Sequence, residues 1–224
     1  MRALILVDLQ YDFCPGGAVE VRRGDEVIPV ANRILPHFSI IAATQEWHPR
    51  DHTSFAANHP GKHPYETIDV HGTPKLLLPP HCVQSTHGAD FHATLDHTRI
   101  SGVFRKGMDP AVDSHSGFFD QTPHSLSGSA AHPGAAGVFN GNRRDTGLAE
   151  WLSARWIKQV YVMGLATDGC VKNTAIDARS LGFDVWVIED GCRAFDRTPG
   201  SGDRALSEMR GHGCAIVDSG AIDP

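Results

Sequence analysis

The length, composition and charge of the chain exclude several classes of function. Its 224 residues, 41% of them apolar, suffice for one domain with a full hydrophobic core. A net charge of −6 provides no basic surface of the kind that binds nucleic acid or an anionic membrane. The sequence starts with the strand-like MRALILVD rather than a secretory signal, and no apolar run is long enough to span a membrane. We therefore expect neither nucleic acid nor membrane among the partners of this protein.

The five cysteines indicate a reducing compartment. They stand at positions 14, 82, 170, 192 and 214, which is an odd number with no CxxC pair. Scattered cysteines of this kind favour free thiols over a disulfide framework. The prediction is a cytoplasmic protein.

The first hundred residues predict two strands and a helix, followed by a long irregular stretch. Residues 3–7 form a continuous aliphatic run that ends at Asp8, as a buried parallel strand would. Residues 25–38 carry apolar side chains on one helical face, and residues 39–44 form a second strand. From 49 to 97 no periodicity is visible, and proline, glycine and histidine are dense. A stretch of this length without regular structure is usually functional or a lid.

The second half of the chain alternates strands with helices. Residues 100–106 predict a third strand, 109–121 a loop, and 122–146, rich in Ser, Gly, Ala and His, a surface insertion. The remaining predicted elements are a helix at 147–156, a strand at 160–163, a helix ending at Gly182, a strand at 184–189, a helix at 203–211 and a strand at 214–217. Alternation of this kind predicts a doubly wound, mostly parallel α/β sheet with helices on both faces. We expect residues 1–224 to form a single domain.

The stretch VYVMGLATDGCVKNTA, at 160–175, carries the candidate nucleophile. A short apolar run leads into a tight turn with two glycines and then into a helix whose first turn contains Cys170. Thr167 or Asp168 can cap the start of this helix. Free N–H groups and the helix dipole at this position lower the pKa of a thiol and can hold an oxyanion beside the sulfur. The alternative interpretation is a buried cysteine that acts as a small hydrophobic residue.

Reactive side chains stand at four predicted strand ends, and they are Asp8, Glu46 with His48, Lys106 and Cys170. The carboxyl ends of neighbouring parallel strands line one crevice, so these groups are expected to meet. A thiolate can attack a carbonyl carbon, a carboxylate can take the thiol proton and return it to a leaving amine, and a lysine can stabilise both anions. Together the four predict an amide hydrolase, whereas each residue alone is equally explained as a turn cap, a solvated charge or a surface histidine.

A metal site is expected beside the thiol. Glu46, His48, His52 and His81 offer one carboxylate and three imidazoles, a ligand set that suits Zn, Fe or Mn. Glu46 and His48 lie at a strand end next to the proposed nucleophile. This position favours a metal site over a group of surface histidines.

Seven stretches of the chain carry a pattern that is specific to one family. They are DLQYDFCPGGAV, TQEWHPRDHTSFAANHPG, PPHCVQSTHGADFH, FRKGMD, DSHSGF, GLATDGCVKNTAIDA and the CRA at 192–194. Together they resemble bacterial nicotinamidases, which are isochorismatase-like cysteine hydrolases. The resemblance runs from about 2 to 219 and is interrupted mainly at 122–146.

The resemblance implies an enzyme that hydrolyses nicotinamide to nicotinate and ammonia in NAD salvage, often with pyrazinamide as a second substrate. The implied catalytic triad is Asp8, Lys106 and Cys170, acting through a thioester intermediate. The implied oxyanion donors are the N–H groups of Ala166 and Cys170, next to a non-proline cis peptide bond between Leu165 and Ala166.

The resemblance also implies one divalent transition metal, with zinc as the first choice and iron or manganese as alternatives. Glu46, His48 and His81 would hold the ion, with His52 near or bound, and the ion would receive the pyridine nitrogen of the substrate. Family members usually have aspartate in place of Glu46, so the identity of the metal stays open.

The implied substrate-binding residues are Phe13, Leu78, His115 and Leu165. Family members commonly have an aromatic residue in place of Leu78 and a tyrosine in place of His115. The pocket of this chain therefore offers less aromatic wall to a pyridine ring, which favours weaker binding or a broader choice of ring.

Three other interpretations remain open. A related hydrolase of another small amide, such as an N-carbamoyl compound, is opposed by the metal motif. An isochorismatase proper, which cleaves a vinyl ether, is disfavoured by Cys170, and a non-catalytic binding module is opposed by the complete triad. The sequence leaves open the native metal, a possible homo-oligomer and the role of 122–146.

Overall fold

Ten strands and four α-helices form the regular structure of the computed structural model, which describes residues 1–70, 73–120 and 144–222. The strands are β1 (Arg2–Val7), β2 (Ile41–Glu46), β3 (Thr67–Val70), β4 (Thr73–Leu76), β5 (Gly102–Lys106), β6 (Phe119–Asp120), β7 (Arg144–Asp145), β8 (Gln159–Leu165), β9 (Asp184–Arg193) and β10 (Ala215–Val217). The helices are α1 (Val27–Ile34), α2 (Leu148–Ser153), α3 (Lys172–Ser180) and α4 (Ser201–Gly211). A single π-helical turn, Thr167–Val171, leads into α3.

Six of the strands form one parallel sheet in the order β10-β9-β8-β1-β2-β5. Its central strand β1 is completely buried from Ala3 to Val7. A strand covered on both faces needs apolar side chains at every position, which explains the unbroken aliphatic run of its sequence. The predicted α/β fold with a mostly parallel sheet is confirmed.

The helices are in the predicted places, although two of them are shorter than predicted. Helix α1 buries the apolar stripe that predicted it, which consists of Val27, Ile28, Ala31 and Ile34. It ends at Ile34 rather than continuing to 38, because the next turn, Leu35–His37, is a 3₁₀ turn that contains Pro36. Proline has no N–H to donate to the preceding turn of an α-helix. Likewise, α2 ends at Ser153 instead of continuing to 156.

The stretch 49–97 contains more regular structure than its sequence predicts. Strands β3 and β4 form an antiparallel hairpin, with Thr67 opposite Leu76 and Val70 opposite Thr73. Each strand has only four residues, and β4 contains a proline. Strands this short do not produce a clear alternation in the sequence, so the hairpin was not predicted.

The predicted insertion at 122–146 lies mostly outside the described residues. Its last described residues form β7, which pairs with β6 through Phe119 opposite Asp145. Strand β6 lies at the end of the predicted loop 109–121. No helix in the described ranges is long and apolar enough to cross a membrane.

Candidate active site

The carboxyl ends of β1, β5 and β8 bring a carboxylate, an ammonium group and a thiol together. Lys106 Nζ lies 2.9 Å from Asp8 Oδ2 and 3.4 Å from Cys170 Sγ. Asp8 and Lys106 are completely buried, whereas Cys170 is half-buried. The three residues come from distant parts of the chain and meet because parallel strands end on the same side of the sheet.

Asp8 is held in place by the neighbouring strand. The Thr44 hydroxyl on β2 donates to Asp8 Oδ1 at 2.6 Å and accepts a hydrogen bond from the Asp8 N–H at 3.2 Å. Asp8 directly follows β1 and has a left-handed backbone conformation, with φ +52°. The sequence analysis did not identify Thr44 as part of the site, because its complete burial, which requires a hydrogen-bond partner, becomes evident only in the structure.

The turn that carries Cys170 begins at a glycine that no other residue can replace without movement. Gly164 has φ +132°, and a Cβ at this position would lie 2.1 Å from the Val7 carbonyl oxygen on β1. The peptide bond between Leu165 and Ala166 is cis, as the family resemblance implied. Cys170 follows within the π-helical turn and therefore precedes α3 rather than standing in its first turn.

The predicted helix cap at Thr167 or Asp168 is wrong. Ala166 occupies the cap position, and no side chain caps the turn. The Asp168 carboxylate instead accepts hydrogen bonds from the N–H groups of Phe195 at 2.8 Å and Asp196 at 2.9 Å. It thereby fixes the loop after β9 beside the nucleophile, a contact between segments about 27 residues apart that the local sequence pattern does not reveal.

The electrostatics of the thiol also differ from the prediction. Burial raises the pKa of Cys170 well above its ordinary value; Lys106 opposes this effect, whereas Asp8 and Glu46 add to it. Burial likewise raises the pKa of Asp8, against the opposing effect of Lys106. Burial alone would lower the pKa of Lys106, but Asp8, Cys170 and Glu46 together raise it well above its ordinary value. Lys106 is therefore the positively charged residue among these three. A thiolate at Cys170 depends on its charge for stabilisation.

A second cluster lies next to the thiol and consists of Glu46, His48 and His81. Their ligand atoms all lie within 4.8 Å of one another, and all three residues are buried. Glu46 Oε2 is 3.0 Å from His48 Nε2 and 3.3 Å from His81 Nε2. Lys106 and His48 hold the pKa of Glu46 well below its ordinary value, despite the opposing effect of burial, so the carboxylate is ionised.

Backbone carbonyl groups orient both imidazoles of this cluster. His48 Nδ1 lies 2.8 Å from the Gly107 carbonyl oxygen, and His81 Nδ1 lies 2.9 Å from that of Pro79. Each Nε2 is thus left to face Glu46, which is the usual arrangement for histidines that bind metal. Gly107 makes this possible, because a Cβ there would lie 2.3 Å from the His48 ring. The donor set fits one divalent transition metal.

His52 lies beside the cluster but is not placed as a ligand. Its ring centroid is 4.1 Å from that of His48. Its Nδ1 lies 2.6 Å from Ser54 Oγ, and its Nε2 lies 3.0 Å from the Val112 carbonyl oxygen. Both ring nitrogens therefore already have protein partners, and burial, followed by the effect of His48, lowers the pKa of His52 to about 4.

Cys170 and the cluster of Glu46, His48 and His81 line one cavity of about 260 Å³. The predicted pocket residues Phe13, Leu78, His115 and Leu165 all line it, together with Ala166. The lining residues that the sequence analysis did not assign to the pocket are Val19, Val21, Ser54, Leu76, Asp113, Ser114, Asp168, Gly169 and Phe195. These residues come from β4, the turn after β8 and several loops, so only the fold brings them together.

Comparisons with known proteins agree with this arrangement. The Isochorismatase domain model matches residues 138–221. The nicotinamidase of Escherichia coli (strain K12) is 42% identical over 219 residues, which cover 96% of this chain and 93% of that protein. The chain belongs to the nicotinamidase family.

Solved structures of nicotinamidase-family proteins share its fold. The nicotinamidase/pyrazinamidase of Acinetobacter baumannii is 40% identical, with a TM-score of 0.84, and the match covers 98% of this chain and 96% of that one. The pyrazinamidase of Pyrococcus horikoshii, solved in complex with zinc, is 33% identical, with a TM-score of 0.71 and coverage of 97% and 98%. The resemblance seen in the sequence is therefore confirmed at the level of family and fold.

Proposed function

We propose that this protein hydrolyses nicotinamide to nicotinate and ammonia in NAD salvage, and that it also accepts pyrazinamide. The observation that carries the proposal is the position of Lys106, whose Nζ contacts both Asp8 and Cys170, the second of which lines the cavity. A buried acid, a buried ammonium group and a thiol that faces a cavity are the groups that amide hydrolysis through a thioester requires.

In the first half of the reaction, Asp8 takes the thiol proton and Lys106 stabilises the resulting thiolate. The sulfur attacks the carboxamide carbon, and the N–H groups of Ala166 and Cys170 are the proposed donors to the oxyanion. The C–N bond then breaks as Asp8 returns the proton to the amine, which leaves as ammonia. The raised pKa of Asp8 suits it to this exchange, because a carboxyl group with a higher pKa holds the proton more readily.

In the second half, Asp8 takes a proton from water, and the hydroxide attacks the thioester carbon. The C–S bond breaks, the sulfur regains the proton, and nicotinate is released. Each group returns to its starting state, so the cycle consumes one amide and one water.

A divalent metal, of which zinc is our first choice, belongs to the same proposal. Glu46, His48 and His81 would hold it, and when bound it would supply a Lewis acid that orients the ring nitrogen of the substrate. Phe13 and Leu165, which line the cavity, would pack against the ring. The apolar Leu78 and the exposed His115 complete the proposed pocket.

We further propose that the enzyme works in the cytoplasm. Its five cysteines are free, and four of them are buried. Burial raises the pKa of Cys14 and Cys214 to about 11 and that of Cys192 to about 12. These thiols suit a compartment that keeps them reduced.

The proposed function is tested by ammonia release from nicotinamide with the purified, metal-loaded protein. The Cys170→Ala variant should lose at least about 10³-fold in kcat/KM, because it removes the nucleophile. The matched control is Cys214→Ala, which removes a buried thiol far from the cavity and should retain activity. Wild-type protein that releases ammonia from an N-carbamoyl compound but not from nicotinamide would replace our proposal with a related amide hydrolase.

A further inference from the structure

A buried ion pair crosses one wall of the cavity. Lys75 Nζ lies 2.9 Å from Asp113 Oδ1, and the two residues are only 8% and 7% exposed. Lys75 stands on β4 between two exposed residues, Pro74 and Leu76, and is itself buried. A buried ion pair stabilises a fold little more than apolar residues of the same volume would, so its position in the site is the informative feature.

The ion pair joins two segments that both line the cavity. Leu76 and Leu78 line it on the side of Lys75, and Ser114 and His115 line it on the side of Asp113. Asp113 is itself a lining residue. Any separation of the two charges would therefore move the two sides of this wall apart.

Backbone hydrogen bonds also hold the two segments together, and Leu78 and Ser54, which form one of them, line the cavity. Leu78 N–H donates to the Ser54 carbonyl at 2.8 Å, and Thr53 N–H donates to the Pro110 carbonyl at 2.7 Å. Residues 53 and 54 thus connect the end of the hairpin to the loop after β5. The ion pair adds a side-chain link between the same segments, through the lining residue Asp113.

The segment that the ion pair fixes also presents a hydroxyl group without a partner. Ser114 Oγ is buried and has no hydrogen-bond partner among the described residues. Ser114 immediately follows Asp113 and is 4% exposed. Buried polar groups without a protein partner are rare and mark places where a ligand or a water completes the site.

We propose that the Lys75–Asp113 ion pair selects the substrate by size. It holds the β3–β4 hairpin against the 113–115 segment, and the wall so formed limits the cavity to one small ring. Lys75 is a positioning residue, since it acts through the wall rather than on the reacting atoms. The inference rests on the proposed function for the identity of the ring, although the geometry of the wall does not depend on it.

The experiment compares Lys75→Met with wild type in two measurements. For nicotinamide hydrolysis we expect KM to rise roughly tenfold and kcat to change less, because the wall positions the ring but does not take part in bond breaking. For alkylation of Cys170, followed by mass spectrometry, we expect the wild type to discriminate against the bulky N-phenylmaleimide relative to iodoacetamide, once each rate is divided by that of the same reagent with free cysteine. Lys75→Met should reduce this discrimination by roughly tenfold.

The matched control is Lys62→Met, which removes a lysine of the same part of the chain from an exposed ion pair with Glu66 at 3.5 Å. It should leave KM and the alkylation ratio unchanged. Thermal unfolding verifies that each variant folds. If Lys75→Met does not fold, Lys75→Gln replaces it, because glutamine keeps a hydrogen-bond donor without the charge.

A folded Lys75 variant with wild-type KM and a wild-type alkylation ratio would overturn the inference. Failure of the proposed function has a different signature, because the wild type itself would then release no ammonia from nicotinamide. The alkylation ratio would still decide the role of the ion pair in that case.

Discussion

Lys106 is the residue on which the electrostatics of the site depend. Its Nζ lies within 2.9 Å of both Asp8 and Glu46 and 3.4 Å from the Cys170 sulfur, with no exposure to solvent. A fully buried ammonium group is stable only when anions surround it. The buried anions are likewise stabilised by its positive charge. Stability and the proposed catalysis would therefore depend on the same charge.

The Lys106→Met variant should show both consequences. It leaves Asp8 and Glu46 buried without their cation, so we expect a loss of about 3–5 kcal/mol in the free energy of unfolding, measured by urea denaturation. Ammonia release should become undetectable. Lys172→Met, the control, removes a lysine from a partly exposed pair with Glu208, and its stability should change by less than about 1 kcal/mol. Equal stability of the two variants would contradict this account.

Among the elements, the end of β8 places Cys170, the proposed nucleophile. The strand approaches β1 so closely at Gly164 that the Val7 carbonyl leaves no space for a side chain. The turn Thr167–Val171 follows, and its Cys170 Sγ lies 3.4 Å from Lys106 Nζ. The geometry of the thiol is therefore set by the contact between two central strands.

Gly164→Ala should disrupt this element. Its φ of +132° is unfavourable for alanine, and the methyl group would meet backbone atoms of Val7, which cannot rotate away. We expect a destabilisation of about 3 kcal/mol or more, measured by thermal or urea unfolding. In the control, Gly211→Ala at the end of α4, the new Cβ has nothing within 4 Å, so stability should change by less than about 1 kcal/mol. A Gly164→Ala variant as stable as this control would show that the two strands can separate without cost.

The sequence predicts the elements whose signal is local and misses the contacts that only folding creates. The apolar runs that became β1 and β8 and the polar residues at their ends were evident, because a strand buried on both faces has no polar alternation. The β3–β4 hairpin was missed because its strands are four residues long. Three contacts of the site join distant segments, and no periodicity in the sequence predicts them. They are the ion pair of Lys75 with Asp113, the hydrogen bonds of Asp168 to the loop after β9 and the hydrogen bond of His52 to Val112.

At the scale of the whole molecule, the proposed metal site joins the sheet to the long segment between β2 and β5. Glu46 ends β2, whereas His48 and His81 belong to that segment. A metal that binds the folded protein and not the unfolded chain stabilises the fold by mass action. The site therefore serves both the architecture and the proposed orientation of the substrate.

Removal of the metal by a chelator should lower the thermal midpoint and raise KM for nicotinamide, with a smaller change in kcat. A metal held at 100 times its dissociation constant contributes about 2.7 kcal/mol to the stability, so a shift of several degrees is expected by calorimetry. The Glu46→Gln variant, which loses one ligand charge, should contain less metal by elemental analysis, and chelator should shift its midpoint less. Stripped protein with unchanged midpoint and KM would refute the metal assignment.

Glu46 uses its two oxygens in different directions. Oε2 faces the two imidazoles, whereas Oε1 lies 2.7 Å from Lys106 Nζ. A single side chain thus belongs to both halves of the site, and substitutions at positions 46 and 106 should be epistatic, because the second replacement alters an environment that the first has already changed. Replacement of Glu46 by the shorter aspartate would accordingly alter the contacts to the imidazoles and to Lys106 at the same time, so both would have to be compensated.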